Sequence, residues 1–170
     1  MIKNKTNGFT LLELMAVLVI VGLIAGLALP RFFRTLTNVE LKVATREIVS
    51  LLTQSSDQAY FKKVRVKASF DMDTKKITVL KYQRKVRDNE NGSFVSFKME
   101  WVKIDELFLS QNIKIKKCER NDREVSDGLF EIVFSPAGSS SGGSITIINN
   151  REKEFSIDVD FITGTAKIRK

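Results

Sequence analysis

The chain has 170 residues, and its 28 lysines and arginines outnumber its 20 acidic residues to give a net charge of +8. The single cysteine, Cys118, excludes an internal disulfide bond, and the absence of histidine removes the commonest general base and metal ligand. The composition therefore disfavours an enzyme and predicts neither a cofactor nor a metal. The basic balance favours acidic partners such as anionic lipid or nucleic acid without requiring either.

The first eight residues, Met1–Gly8, form a short basic segment with two lysines and no apolar periodicity. A segment of this kind is typical of a removable leader rather than of a folded element. We therefore expect residues 1–8 to be cleaved from the mature protein.

An apolar segment follows from Phe9 to Leu29, and a helix of about 21 residues spans the ~30 Å hydrocarbon layer of a bilayer. Its one charged residue is Glu13, which in apolar surroundings costs on the order of 2.5–3.5 kcal/mol unless it finds a partner. Cleavage after Gly8 would create an amine on Phe9, four residues before Glu13, and a neighbouring copy could offer the same group. The pattern predicts a transmembrane helix over residues 9–29.

The run Gly8-Phe9-Thr10-Leu11-Leu12-Glu13-Leu14, with Pro30 closing the apolar segment, resembles the class III leader of type IV pilins and type II secretion pseudopilins. This resemblance implies that a prepilin peptidase cuts between Gly8 and Phe9 and methylates the new amine. It also implies that Glu13 and Pro30 serve filament assembly. Basic residues flank both ends of the segment, so the distribution of charge does not decide its orientation in the membrane. The resemblance implies that the helix lies in the inner membrane and the head in the periplasm.

Two other interpretations of this segment remain open. In the first, it is a secretory signal peptide cut near Gly26-Leu27-Ala28, although Glu13 and Pro30 both disfavour that peptidase site. In the second, it is a plain signal anchor in which Glu13 reaches the lipid headgroups.

From Pro30 onward, apolar residues recur at steps of three and four, as at Phe33, Leu36, Val43 and Leu52. This spacing predicts an amphipathic helix over residues 30–63 that continues the first helix through a bend at Pro30.

The remainder, residues 64–170, changes to the period of two that is typical of half-buried strands. We predict strands at 64–70, 77–82, 94–102, 113–116, 129–134, 145–148, 155–161 and 166–168, with exposed loops at 84–92 and 121–128. Residues 104–109 fit either a strand or a helical turn. The predicted fold is α+β and pilin-like, with a long N-terminal helix packed on an antiparallel β-sheet head.

The end of the chain carries a second resemblance, to the H-type minor pseudopilins of type II secretion and to FimT-like minor pilins. Its most distinctive residues are Phe134, Pro136, Gly138, Gly142, Gly143 and Gly164. The resemblance implies a minor subunit of the periplasmic pseudopilus, whose partners would be other pseudopilins and secreted cargo.

Two other patterns resemble ligand sites but lack residues that such sites require. The glycines at 138–143 are followed by Ser144 rather than the lysine of a phosphate loop. The pairs Asp71/Asp73 and Asp158/Asp160 lack the further oxygen ligands that calcium requires.

Basic clusters leave a second hypothesis open, namely a minor pilin of a type IV pilus or competence filament that binds DNA. Some FimT-like minor pilins are associated with DNA uptake and use basic residues near the C-terminus. The clusters are Lys62, Lys63, Arg65 and Lys67; Lys81, Arg84, Lys85 and Arg87; and Lys167, Arg169 and Lys170.

Overall fold

The computed structural model describes residues 9–87 and 96–169, with side chains described throughout except at 27–36, 85–87 and 96–97. The described residues form one helix, α1 (Leu11–Lys62), and nine strands. The strands are β1 (Val66–Asp71), β2 (Lys76–Arg87), β3 (Ser96–Phe108), β4 (Ile113–Arg120), β5 (Arg123–Val125), β6 (Leu129–Phe134), β7 (Gly143–Asn149), β8 (Glu154–Val159) and β9 (Ala166–Arg169).

The chain divides into two compact units, residues 1–37 and residues 38–170. The first unit contains the N-terminal part of α1. The second unit contains the rest of α1 and all the strands, and it forms the head.

The strands of the head form two antiparallel sheets. The first sheet has the order β3-β2-β1-β6, and the second has the order β5-β4-β7-β8-β9. One face of α1 and the inner faces of both sheets share a single apolar core. The apolar residues recur every three to four positions in the helix and every second position in the strands, so each element presents one apolar face to the others. Fully buried members include Leu41, Ile48, Leu52, Ala59, Phe70, Ile132, Ile145 and Ile157. The predicted α+β fold, a long N-terminal helix on an antiparallel β-sheet head, is confirmed.

The predicted loop at residues 84–92 is wrong over its first part. Strand β2 continues to Arg87, and residues 88–92 lie outside the described residues. Strand β3 pairs with β2 along this whole length and takes in most of the ambiguous segment 104–109. Cross-strand hydrogen bonds form regardless of how polar the side chains are, so a charged segment becomes a strand when its partner is long enough.

The predicted loop at 121–128 also contains a short strand, β5, which pairs with the end of β4. The chain reverses through Asn121 and Asp122, both of which have positive φ. Asn and Asp tolerate this conformation better than most residues, so the turn is tight enough for a hairpin.

The strand predicted at 155–161, in which alternation would place Phe161 on the same face as Ile157 and Val159, is too long at its C-terminal end. Strand β8 ends at Val159, and the Phe161 side chain is 66% exposed. The cause is Asp160, whose carboxylate accepts hydrogen bonds from the backbone N–H groups of Ile162 (3.0 Å) and Thr163 (2.7 Å). These bonds turn the chain before the alternation of the strand reaches Phe161.

Candidate functional site

The N-terminal site begins with a capped helix. The Thr10 hydroxyl accepts a hydrogen bond from the Glu13 backbone N–H at 3.2 Å, and the Thr10 carbonyl accepts from Glu13 and Leu14. Thr10 is thus the N-cap, and Glu13 occupies the third helical position, which is the spacing of a capping box. A carboxylate in the first turn also interacts favourably with the positive end of the helix dipole. Glu13 therefore lies at a helix position where a carboxylate is favourable, apart from any role in assembly.

The apolar side chains after this cap are exposed to solvent in the part of the first unit that the structure describes. From Phe9 to Ile24, every large apolar side chain is between 46% and 78% exposed. A methyl group added at Gly22 or Gly26 would meet no heavy atom within 4 Å. Transfer of each such leucine, valine or isoleucine out of water is worth about 1.5–3 kcal/mol. Burial of these side chains would therefore be strongly favourable.

None of the helices in the described part of the chain is both long and apolar enough to cross a membrane. The side chains at 27–29, the last three residues of the predicted span, lie outside the described residues.

Two of the predicted N-terminal residues fall partly or wholly outside what the structure describes. Gly8, on one side of the predicted cleavage bond, precedes the first described residue, Phe9. At Pro30 the backbone belongs to α1, but its side chain is not described. The cleavage at Gly8–Phe9 and the bend at Pro30 stay predictions.

Four residues of the C-terminal signature lie near one another in the head, namely Phe134, Pro136, Gly138 and Gly164. After Phe134, which is fully buried, the chain forms a turn in which the Gly138 N–H donates to the Ser135 carbonyl at 3.0 Å. Pro136 lies half-buried in this turn. The loop then returns to β6, because Ser140 forms a bridge with Phe134.

Gly164 lies where the turn after β8 meets both this loop and α1. Its φ is +62°, and a Cβ atom there would lie 2.9 Å from the Gly138 carbonyl oxygen and 3.0 Å from the Ser56 hydroxyl. A side chain at this position would force the turn away from the helix. Gly164 thus allows the turn to pack against α1.

Gly143 allows a similar close approach at the start of β7. A Cβ atom there would lie 2.9 Å from the Phe130 ring and 3.0 Å from the Glu119 carbonyl oxygen. Its neighbour Gly142 lies beside Phe161. The residues after Gly143 form strand β7 rather than a helix that could hold a phosphate. Gly143 and Gly164 therefore allow close packing of the backbone in the head.

Arg120 contributes to the same region and was not singled out from the sequence. Its Nε donates to the Gly142 carbonyl at 3.1 Å, another guanidinium nitrogen donates to the Glu131 carbonyl, and its charge lies 4.8 Å from the Phe130 ring centre. Burial lowers the pKa of Arg120 from its usual range. The side chain joins β4 of one sheet to β6 of the other, and only the folded sheet order reveals that role.

The acidic pairs do not form ligand sites. The Asp71 carboxylate accepts the backbone N–H groups of Asp73 (3.0 Å) and Thr74 (2.9 Å), so it caps the turn between β1 and β2. Asp160 caps the turn after β8 in the same way, whereas Asp158 forms an ion pair with Arg169 at 3.3 Å. Within the described residues, no group of three or more histidine, cysteine or acidic side chains is arranged to hold a metal ion.

Cys118 lies fully buried on the inner face of β4. Burial raises the pKa of its thiol to about 12, against a smaller opposing effect from Arg120. The thiol is thus a neutral core side chain near neutral pH.

A family profile matches the N-terminal part of the chain. Residues 3–29 match the profile described as the prokaryotic N-terminal methylation motif. A search of curated protein sequences finds no significant match.

Solved structures with a similar fold cover most of the chain. Two are of the minor pseudopilin EpsH from the type 2 secretion system of Vibrio cholerae, with TM-scores of 0.55 and 0.54. They cover 76% and 78% of this chain, and 96% and 94% of their own. A third is the type IV minor pilin FimU of Pseudomonas aeruginosa strain PAO1, with a TM-score of 0.50, covering 78% of this chain and 90% of its own. Each is 12% identical to this chain, so these likenesses establish the fold.

Proposed function

We propose that this chain, a type IV pilin-like protein, is a minor pseudopilin of a type II secretion system. It would assemble into the periplasmic pseudopilus that drives folded proteins across the outer membrane. The observation that carries the proposal is the apolar segment Phe9–Ile24, whose large side chains are all exposed in the single chain. Such a surface needs lipid before assembly and neighbouring helices after it.

Processing supplies the second part of the proposal. A prepilin peptidase would remove residues 1–8 and leave a methylated amine on Phe9, followed by a transmembrane helix over 9–29. An amine at the positive end of a helix dipole is unfavourable, and a carboxylate there is favourable. The Glu13 carboxylate of one subunit would therefore pair with the Phe9 amine of a neighbouring subunit. Such a pair between copies is more favourable than either charge alone in an apolar layer.

Binding and assembly, rather than catalysis, would be the whole mechanism. Residues 30–63 would continue the helix out of the inner membrane, and residues 64–170 would form a periplasmic head that contacts other pseudopilins or cargo. The compact head supports this division, because the apolar core of the second unit is formed by the part of α1 and the strands that lie within that unit.

The assignment to secretion rather than to a pilus rests on the resemblance of the C-terminal signature to H-type minor pseudopilins. The rival is a minor subunit of a type IV pilus or competence filament, which would use the same leader and the same fold.

Deletion of the chain in its own bacterium tests the proposal. We expect type II substrates to accumulate in the periplasm while surface pili and twitching motility remain normal, and the wild-type chain supplied in trans to restore secretion. Lost piliation with normal secretion would overturn the secretion assignment in favour of the pilus. Normal secretion, piliation and DNA uptake together would contradict the filament role.

A further inference from the structure

An apolar groove lies on the head where α1 passes the connection between β3 and β4. The groove has a volume of about 300 Å³. We call it the apolar groove, and its apolar lining consists of Val39, Val43, Ala44, Phe108, Leu109 and Ile113. Val39, Val43 and Phe108 are between 45% and 63% exposed, so the groove is an open apolar surface of the single chain.

The charges that line the apolar groove are negative. Among the described residues, its charged lining residues are Glu40 and Glu47. The Glu40 carboxylate accepts a hydrogen bond from the Asn112 side-chain amide at 3.0 Å. Glu47 is exposed and follows Val43 by four positions, so it lies on the same side of α1. An apolar groove with two acids favours an occupant that carries apolar side chains beside a cation.

The turn after β8 carries a pair of exposed apolar side chains. Phe161 and Ile162 are consecutive in this turn and are 66% and 77% exposed. The Asp160 carboxylate accepts hydrogen bonds from the Ile162 N–H, the Thr163 N–H and the Thr163 hydroxyl. These three bonds give the turn a defined conformation with both apolar side chains at the surface. We call Phe161 and Ile162 the apolar tip.

A cation accompanies the apolar tip. Strand β9 follows the turn, and its Lys167 is exposed and lies opposite Asp158. The Asp158 carboxylate forms its ion pair with Arg169 at 3.3 Å, and the Asp160 carboxylate accepts the hydrogen bonds of the turn. The Lys167 ammonium is therefore the charge that the surface beside the tip offers to a partner. Its sign is opposite to that of the acids in the apolar groove.

The apolar groove and the apolar tip lie on different sides of α1. Gly164, in the turn of the tip, lies next to Ser56, whereas the groove is centred on Val43. These two helix positions are 13 residues apart, which is about 20 Å along α1 and about 140° around it. The tip of a copy therefore cannot occupy the groove of the same copy. A contact between tip and groove in two copies uses a different surface of each, which is a heterologous interface.

We propose that the apolar tip of one copy docks in the apolar groove of a second copy, with Phe161 and Ile162 inside the groove and Lys167 near its acids. The proposal deepens the filament function, on which it rests for its biological setting, by naming a second copy as a neighbour of the head. A heterologous contact leaves one tip and one groove open at its ends. Its repetition would offset successive heads by about 20 Å along α1.

The exposed side chain of Phe61, at the end of α1, is the other candidate occupant. It follows Val43 by 18 residues, or five turns, and so lies on the same side of the helix. A symmetric pair in which Phe61 of each copy filled the groove of the other would have antiparallel helices. Two copies anchored in one membrane cannot form that pair, so we assign the groove to the apolar tip.

Cysteine cross-linking between two full-length chains with different tags, in a non-ionic detergent, tests the contact. One chain carries Val43→Cys and the other carries Ile162→Cys. Cys118 can stay, because its thiol is fully buried and its pKa is about 12. We expect oxidation to form a disulfide between the two chains and to leave each variant alone as a monomer. The control replaces Ile162→Cys with Asp73→Cys, in the exposed turn between β1 and β2, and should not form a disulfide.

Further variants of the cross-linking pair separate the apolar contact from the charges. Phe161→Ser should lower the yield about tenfold, whereas Leu129→Ser, an exposed apolar residue on β6, should not change it. Glu47→Lys should lower the yield about fivefold, and Lys167→Glu in the partner chain should restore it. Asp127→Lys, which changes the charge of an exposed loop by the same amount, should have no effect.

Four results would overturn the proposal. They are no disulfide between Val43→Cys and Ile162→Cys, an equal yield with Asp73→Cys, a disulfide between two Ile162→Cys chains, and a higher yield from Val43→Cys with Phe61→Cys. The deletion experiment stays independent of this one. Lost secretion without a cross-link would reject the contact and keep the filament function, whereas a cross-link with normal secretion would keep the contact and reject that function.

Discussion

Gly164 approaches Gly138 so closely that a Cβ atom on Gly164 would lie 2.9 Å from the Gly138 carbonyl oxygen. The two glycines are 26 positions apart in the sequence, and their contact holds the turn after β8 and the loop after β6 together against α1. In the C-terminal signature, Gly138 and Gly164 therefore serve the packing of the head.

Substitution of Gly164 tests this packing. Gly164→Ala should lower the free energy of unfolding of the full chain by more than the 1–2 kcal/mol typical of an L-residue in the left-handed region, since backbone atoms would also clash. The matched control is Gly128→Ala, because Gly128 has a similar φ of +73° but open space around its Cβ position. Chemical denaturation measures both, and equal losses would contradict a role for the close contact.

Glu13→Ala should leave the melting temperature of the head and insertion into the membrane unchanged, because it removes a charge that an apolar layer disfavours. Incorporation into filaments should fall strongly, since the Phe9 amine of a neighbour would lose its partner. Glu13→Gln keeps the shape and removes the charge, so it should behave like the alanine variant. Filament fractionation measures the outcome, and normal incorporation of both variants would rule out the proposed pairing.

Replacement of Gly8 tests the leader. Gly8→Ala should still be cleaved, whereas Gly8→Arg should accumulate as the uncut precursor, because the peptidase site must accept a small side chain. Mass spectrometry of the N-terminus distinguishes the precursor from a chain that begins at methylated Phe9, with Asn7→Ala as the control. Unimpaired cleavage of the arginine variant would undo the leader assignment, and a mature chain that begins near Leu29 would instead support a secretory signal peptide.

The Cys118 thiol should resist alkylation. Its pKa of about 12 leaves almost no thiolate at pH 8, and the side chain is fully buried. Iodoacetamide should therefore modify the folded chain at least about a hundredfold more slowly than the chain in guanidinium chloride, as measured by mass spectrometry. Comparable rates in the two states would show that β4 opens readily or that the thiol is accessible.

The turn cap at Asp71 should contribute stability that depends on pH. Hydrogen bonds from the Thr74 N–H, then from the Thr74 hydroxyl and the Asp73 N–H, hold the pKa of Asp71 below its ordinary value of 3.8. Because the folded pKa is depressed, this stabilisation is fully present above the unfolded value. It is lost as the pH falls through the folded value.

Asp71→Asn should therefore flatten the acid limb of the stability profile, because asparagine keeps an acceptor oxygen but does not titrate. Asp73→Asn removes the same charge from the next exposed turn position and keeps the Asp71 cap. Urea denaturation between about pH 2.5 and 6 gives both profiles. An unchanged acid limb in the Asp71 variant would mean that the cap does not contribute.

The sequence was sufficient wherever the physical cause is local. The apolar run after Phe9, the isolated charge of Glu13 and the change from a helical to a strand period at Val64 each depend on neighbouring residues. The spacing of apolar residues along the sequence indicates which side chains of a helix or strand will be buried. The helix, the predominance of strands and the α+β class followed from these patterns, as did the resemblance at the N-terminus.

Local patterns failed where a distant segment supplied the decisive hydrogen bonds. The segment Arg84–Arg87 is polar enough for a loop, yet it forms a strand because β3 pairs with it. Similarly, β6 pairs with β1, which is distant from it in the sequence. Phe161 lies beyond the end of β8 because the Asp160 carboxylate stabilises a turn there.

By itself, the sequence determined that this protein has an apolar N-terminal helix with one acid near its start and a β-rich head. Only the tertiary structure decided that Gly164 meets Gly138, that Arg120 joins the two sheets and that Tyr82 lies beside Trp101. The physical reason is that these contacts depend on strand register and sheet order, which are properties of pairs of distant segments and appear in neither segment alone.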